Sequence, residues 1–183
     1  MEETISKREE YAVVLDFLAH GKPFSGSRTP VAQVIGEKFF TLLEVVPKPG
    51  VELKSMDKVY IGQDKREQVH HIKGRINFSD LTNTSQKAAV DVLDSLISSR
   101  DDMIVSFFNK SGPITTRLHS LELLPGVGRK HMWQILQERE KQEFKDVEDI
   151  TKRISLLPDP RKTVVKRILL ELDNKDKYKL FVS

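Results

Sequence analysis

One short turn, Leu124–Lys130, carries the residues whose types and spacing are best suited to bind a ligand, and it reads Leu-Pro-Gly-Val-Gly-Arg-Lys. Proline ends a preceding helix, and the two glycines permit positive φ angles and the close approach of another backbone. A helix beginning near Gly128 would expose unpaired N–H groups and the positive end of its dipole. Such a helix start binds anions, and Arg129 and Lys130 would add positive charge beside it. The turn therefore predicts a phosphate site.

Two amphipathic helices are predicted to flank this turn, over residues 115–139. Each would bury three apolar positions on one face: Leu118, Leu121 and Leu124 in the first helix, and Met132, Ile135 and Leu136 in the second. The arrangement resembles the helix-hairpin-helix motif of sequence-independent DNA-binding proteins. That resemblance implies that the amides of Gly126, Val127 and Gly128 donate to backbone phosphates, while Val127 also plugs the space between the helices. Alternatively, the hairpin is a packing or protein-contact module.

A second, degenerate hairpin is predicted over residues 147–172. When the sequence is shifted so that Leu124-Pro125 aligns with Leu157-Pro158, the apolar positions persist but the glycine turn becomes Asp159-Pro160-Arg161. Asp146 is a plausible N-cap for the helix that leads into it. Because Asp159 would repel an anion, we expect a tandem pair in which the first hairpin binds phosphate and the second is structural.

Residues 1–80 are predicted to form a small antiparallel barrel of the OB type. Five short runs rich in β-branched and aromatic residues, separated by turn signals, cover 11–18, 31–35, 39–46, 58–61 and 68–76. Such a barrel binds single strands through a basic groove with stacking aromatics. Tyr60 or His70 would be the stacking platform. The basic candidates are Lys58, Lys65, Arg66, Lys73 and Arg75.

The remaining chain is predicted to be helical, which gives an α+β fold of a barrel followed by a helical domain. Residues 81–111 would be connecting helices, because apolar residues recur in pairs four positions apart. Residues 112–183 would hold the tandem hairpins and a terminal strand over 177–183, where apolar and polar residues alternate. A lone strand needs a partner, so we expect it to return to the barrel.

Charge is distributed as a polyanion-binding protein would need. The 183 residues include 30 basic and 27 acidic side chains, a formal net charge of +3. Residues 58–75 carry five basic and two acidic side chains, and residues 112–183 carry 15 and 11. A solvated surface of mixed sign varies by similar amounts, so the charge pattern leaves both interpretations open.

Several other classes of protein are excluded by what the sequence lacks. It contains no cysteine, no apolar run long enough to span a membrane and no apolar stretch near its N-terminus. A soluble, cytoplasmic protein without a membrane partner is expected. With no Walker loop, dinucleotide fingerprint or nucleophile elbow, neither an enzyme nor a cofactor is predicted.

A metal site is not predicted from the histidines either. His70 and His71 are neighbours on a strand and should point to opposite faces, so they would not share one ion. His119 and Glu122 would supply only two ligands.

The whole chain resembles an uncharacterised, mainly archaeal family, the domain-of-unknown-function family numbered six hundred and fifty-five. The segments that carry the resemblance are 32–36, 40–46, 59–62, 72–76, 107–109 and 117–126. The family implies an OB-like barrel followed by a tandem helix-hairpin-helix domain, with at most a role in nucleic-acid binding. Two functions therefore stay open. One is sequence-independent binding of DNA or structured RNA, and the other is an adaptor that docks a protein of the transcription or translation machinery.

Overall fold

The computed structural model describes residues 8–23, 26–174 and 176–183. The chain divides into two compact units. The sheet unit comprises Met1–Val92 and Glu171–Ser183, and the helical unit comprises Leu93–Leu170.

The sheet unit is built on a five-stranded antiparallel sheet that curls into half of a barrel. Its strands are β1 (Tyr11–Leu18), β2 (Val31–Gly36), β3 (Leu42–Pro47), β4 (Lys58–Tyr60) and β5 (Val69–Arg75). They lie in the order β4-β1-β2-β3-β5. All five predicted strands are present. The third begins later than predicted, because Phe40 adopts a left-handed conformation with φ of 55° and turns the chain before Leu42.

Alternating apolar residues on these strands form the core of the sheet unit. Its buried members are Ala12, Val14, Ala32, Val34, Leu43, Val45, Leu53, Val59, Ile61 and Val69. Leu53 and Ile61 lie outside the strands, and the spacing of two among the others places them on one face of the sheet. That face is thereby filled with β-branched and aliphatic side chains.

Five α-helices are found in the described residues. They are α1 (Asn83–Ser98), α2 (Asp101–Lys110), α3 (Arg129–Lys141), α4 (Val147–Arg153) and α5 (Pro160–Leu172). The boundaries between the two units fall within α1 and α5. The predicted helices between residues 81 and 111 are present as α1 and α2. Acids at the start of α2 and Lys110 at its end both favour the helix dipole.

The predicted first helix of the first hairpin is wrong. Residues Pro113–Thr115 (β6) and Leu118–His119 (β7) pair as a small ribbon, and a single 3-10 turn follows over Ser120–Leu123. The His119 ring accepts the Leu121 N–H at 3.1 Å, and the Glu122 carboxylate accepts the His119 N–H at 3.0 Å. This capping box closes one turn just before Pro125, which leaves no room for an α-helix.

The predicted terminal strand over 177–183 is also wrong. The amides of Leu180, Phe181 and Val182 instead donate to the carboxylate of Glu171, at 2.7 to 2.9 Å. A buried acid thus satisfies donors that a neighbouring strand would otherwise accept. The segment nevertheless lies on the sheet unit, where the Ser183 N–H donates to the Phe39 carbonyl at 3.3 Å.

No helix among the described residues is both long and apolar enough to cross a membrane.

Candidate functional site

The turn before α3 has the predicted positive φ at one of its two glycines, Gly126, whereas Gly128 has a negative φ. Gly126 has a φ of 84°, in the left-handed region that favours glycine, and a Cβ at this position would lie 2.9 Å from Cγ of Pro158. Val127 is 4% exposed, so its side chain is the predicted apolar plug. Its N–H donates to the Leu124 carbonyl at 3.0 Å. The predicted role of the Val127 amide as a phosphate donor is therefore wrong, because that amide already has an acceptor.

The start of α3 is open to a ligand. Gly128 is the N-cap, with extended backbone angles and no side chain to bond the first amides. Its carbonyl accepts the first helical bond from Met132 at 3.0 Å. A Cβ added at Gly128 would meet no atom within 4 Å. The amides of Arg129, Lys130 and His131 thus form an uncapped first turn, the arrangement in which helices bind anions.

The two basic residues at this helix start are exposed to solvent. The side chain of Arg129 is 76% exposed, and its Nε lies 3.7 Å from Oε1 of Glu122. This exposed ion pair is weak. The other Glu122 oxygen accepts the His119 N–H within the capping box. The Glu122 carboxylate thus has a partner at each oxygen, and Lys130 adds a second positive charge.

The turn before α5 differs at the equivalent atoms. Oδ1 of Asp159 accepts the N–H groups of Arg161 at 2.9 Å and Lys162 at 3.2 Å. Its backbone carbonyl accepts the Thr163 N–H at 2.9 Å. A carboxylate of the chain itself thus occupies the place that an anion would take at α5. Asp146 caps α4 in the same way as predicted, since its side chain accepts the Asp149 N–H.

The structure separates the five basic candidates of the sheet unit. Nζ of Lys58 lies 2.9 Å from Oε2 of Glu37 and 4.4 Å from the centre of the Tyr11 ring. Nζ of Lys73 lies 3.4 Å from Oε2 of the buried Glu44. Both lysines are thus already paired within the protein, which weakens their predicted role as phosphate ligands.

The buried carboxylate of Glu44 is stabilised in its charged form by neighbouring cations. Burial raises its pKa, but the hydrogen bond and charge of Lys22, with smaller contributions from Gln33 and Lys73, lower it below the ordinary value for glutamate. Glu44 is therefore held as a carboxylate inside the sheet unit, and Lys22 and Lys73 balance its charge.

Arg66 and Arg75 do come together, at a cleft of about 750 Å³ within the sheet unit. Arg8 and Lys38 line the same cleft. Arg8 and Lys38 were not predicted from the sequence, because only the fold brings them into the cleft with Arg75 at the end of β5. Lys65 lies outside the cleft, in a neighbouring groove with Lys58 and Glu67.

The expectation that His70 and His71 point to opposite faces is wrong. Their Nδ1 atoms lie 2.8 Å apart. The reason is a β-bulge, since Val69 pairs with Pro47 and His71 with Val46, so that His70 has no opposite residue. Among the described residues, no group of three or more histidines, aspartates and glutamates is placed to hold a metal ion.

The fold and these sites define an α+β protein that combines a half-barrel sheet with a helical unit. The chain belongs to the family described as Protein of unknown function (DUF655), which it matches over residues 8–183. It is 42% identical over 179 residues to the uncharacterized protein MJ0038 of Methanocaldococcus jannaschii, a match that covers 97% of this chain and 81% of that protein.

A solved relative has the same fold. The crystal structure of Af1531 from Archaeoglobus fulgidus is similar with a TM-score of 0.86 and 44% identity. The similarity covers 96% of this chain and 100% of that one.

Proposed function

We propose that this chain is a non-enzymatic protein that binds the backbone of DNA or structured RNA without reading the base sequence. The observation that carries the proposal is the uncapped start of α3, next to a left-handed glycine and two exposed basic side chains. Amide donors and cations at a helix start recognise phosphate and sense no base. Binding of this kind is independent of sequence.

The proposal includes a tandem helix-hairpin-helix arrangement in the helical unit. The 3-10 turn, the glycine turn and α3 would be the first hairpin, and α4, its turn and α5 the second. The proximity of Gly126 to Pro158 supports this pairing, because it brings the two turns together. In the sheet unit, the strand order with β4 and β5 at its edges is compatible with a partly open OB-like barrel.

Within this arrangement the two hairpins have different roles. The donors to phosphate are the amides of Gly126, Gly128 and the first turn of α3, with Arg129 and Lys130 pairing with the phosphate oxygens. The second turn is structural because Asp159 already occupies the amides of α5. One phosphate-binding turn on each chain is thus proposed.

The test is the affinity for fluorescein-labelled duplex, single-stranded and hairpin forms of DNA and RNA, measured by anisotropy at two salt concentrations. We expect binding that weakens steeply with salt and is similar for unrelated base sequences. The double variant Arg129→Gln/Lys130→Gln should reduce the slope of log affinity against log salt by about two.

Lys162→Gln is the matched control, because Lys162 is an exposed lysine at the capped start of α5. It should leave both the affinity and the slope close to those of the unmodified chain. Binding that does not depend on salt, or equal losses in the two variants, would contradict the proposal.

A protein-docking adaptor is the second candidate function. Trp133 on α3 is 58% exposed, and Leu156 in the turn before α5 is 91% exposed with a left-handed φ of 59°. Large exposed apolar side chains mark surfaces that other proteins cover. A stoichiometric partner that is retained after nuclease treatment, and lost with Trp133→Ser, would favour this function over nucleic-acid binding.

A further inference from the structure

The sheet unit contains a cleft large enough for a small molecule. Its volume of about 750 Å³ lies within the range of known ligand sites. Tyr60 from β4 and Ile72 and Arg75 from β5 line it, so it opens between the two outermost strands of the sheet. The residues just before β1, the turn between β2 and β3 and the loop between β4 and β5 complete its walls.

The charged groups of the cleft favour an anion. Four cations line it, namely Arg8, Lys38, Arg66 and Arg75. The acids that line it are Glu9, Glu10 and Asp64.

Two of these three acids are engaged within the protein. The buried carboxylate of Glu9 accepts the N–H groups of Lys38, Phe39 and Thr41, at 2.8 to 3.2 Å. The carboxylate of Asp64 accepts the Tyr60 hydroxyl at 3.3 Å. The cations therefore outnumber the acids, and three of the six acidic oxygens have donors already.

Arg66 is the cation whose position is best fixed. Its Nε donates to the Gly62 carbonyl at 2.9 Å, and its own carbonyl accepts a bond from Lys48. The bond through Nε leaves the two terminal nitrogens of the guanidinium for a ligand. That pair of nitrogens is the fork that binds phosphate oxygens in a bidentate manner.

The same cleft has a rigid aromatic wall. The Tyr60 hydroxyl accepts the Asp64 N–H at 3.2 Å, and the Tyr60 ring meets the Tyr11 ring edge to face at 5.2 Å. Gly62 lies so close that a Cβ there would be 2.3 Å from the hydroxyl. Phe39 and Ile72 extend this wall. A tyrosine ring whose position is fixed by such contacts offers a flat surface on which a planar base can stack.

A buried hydroxyl at the cleft has no partner among the described residues. Oγ1 of Thr41 is inaccessible to solvent and accepts or donates no hydrogen bond. Thr41 lines the cleft, and it is 6% exposed. Buried polar atoms are rarely left unpaired, so this hydroxyl is an unsatisfied polar group in a residue that lines the cleft.

We propose that this cleft binds a phosphorylated nucleoside, with the phosphate on the arginines and the base against Tyr60. Two ligands carry a phosphate and a base in this arrangement: a free mononucleotide and the phosphorylated end of a nucleic-acid strand. The proposal does not depend on the phosphate-binding turn, which belongs to the helical unit.

The test is isothermal titration calorimetry of the full chain with AMP, adenosine and inorganic phosphate as separate probes. We expect AMP to bind at least about tenfold more tightly than adenosine or phosphate, because only AMP carries both groups. Equal affinities for AMP and adenosine, or no heat with millimolar AMP, would overturn the proposal.

A matched pair of variants locates the site. Arg66→Gln should weaken AMP binding about tenfold, whereas Lys65→Gln removes the same charge from the adjacent residue, outside the cleft, and should change it less than twofold. Arg75→Gln is a second cleft variant, in case Arg66→Gln fails to fold. If folded cleft variants and Lys65→Gln bind AMP equally, the proposal is wrong.

The source of the nucleotide is resolved by two tetranucleotides that differ only in a 5′ phosphate. A strand end as the natural ligand predicts tighter binding of the phosphorylated tetranucleotide than of AMP, and a free mononucleotide predicts the reverse. If AMP binds but neither tetranucleotide does, the natural ligand is a free mononucleotide. AMP binding should persist in the Gly128→Asp variant, which alters only the start of α3. The nucleotide cleft and the phosphate-binding turn are therefore tested independently of each other.

Discussion

Two glycines separated by one residue serve different purposes in the turn before α3. Gly126 needs its left-handed conformation and faces Pro158, whereas Gly128 has ordinary extended angles and faces open space. The first glycine is required by the backbone. The second is not, and the absence of a side chain at this N-cap leaves the first amides of α3 accessible.

This difference predicts unequal effects of alanine at the two positions. Gly126→Ala should lower the free energy of unfolding by about 1–3 kcal/mol, from the unfavourable φ and the crowding against Pro158. Gly128→Ala should lower it by less, about 0.5–1 kcal/mol, because the added Cβ meets no atom and only the poorer N-cap is felt. Urea unfolding measures both. Similar losses for the two variants would show that the conformations assigned to the glycines are wrong.

His119 makes stability depend on pH. Its Nδ1 accepts the Leu121 N–H, so the folded chain needs this nitrogen unprotonated. Burial lowers its pKa below the ordinary 6.5, and the charge of Arg139 lowers it further, against an opposing effect of Glu122. As the pH falls below about 6.5, the unfolded chain binds a proton that the folded chain does not. The free energy of unfolding should therefore decrease until the pH reaches the lowered pKa.

His119→Asn is the control for this pH dependence. Asparagine can accept the same N–H but does not titrate. The variant should lose less stability than the unmodified chain between pH 6.5 and pH 5, as measured by urea unfolding at each pH. An unchanged pH profile would exclude His119 as its source.

At the scale of elements, the sequence predicted strands better than the ends of helices. Short runs rich in β-branched residues, such as Val31–Ile35, are bounded by turn residues, and this combination is typical of strands. The spacing of Leu118, Leu121 and Leu124 fits a helix and a 3-10 turn equally. What decides between them is the capping box of His119 and Glu122, a local signal that the apolar pattern does not contain.

The terminal segment was misassigned for a different reason. Its alternation of apolar and polar residues predicts a strand, but the partner that satisfies its amides is the side chain of Glu171, 9 to 11 residues earlier, which no periodic pattern identifies. A side-chain acceptor of this kind is visible only in the folded chain.

Glu171 should therefore hold the terminal segment in place. Glu171→Gln replaces one accepting oxygen with a donating amide, so the N–H groups of residues 180–182 should exchange faster with solvent. Hydrogen exchange measured by NMR tests this. Lys177→Gln, an exposed change in the same segment, should leave exchange at residues 180–182 unaltered. Equal exchange in both variants would contradict the assignment.

At the scale of the whole molecule, the candidate site was only partly predictable. The proposed phosphate-binding turn is contiguous in sequence, so its glycines and basic residues could be recognised together. The cleft of the sheet unit is assembled from four separate segments, and of its cations only Arg66 and Arg75 were predicted. Lys58 and Lys73 were predicted from charge alone, which cannot show that each is already paired with an acid.

We propose that the amides at the start of α3 receive a phosphate, and the variant Gly128→Asp tests this directly. The new carboxylate would cap α3 as Asp159 caps α5. It should raise the free energy of unfolding by a few tenths of a kcal/mol, because glycine is already a fair N-cap. Affinity for duplex and hairpin nucleic acids should fall at least about tenfold, since a negative charge replaces the phosphate. An affinity that survives in a correctly folded Gly128→Asp chain would contradict the account.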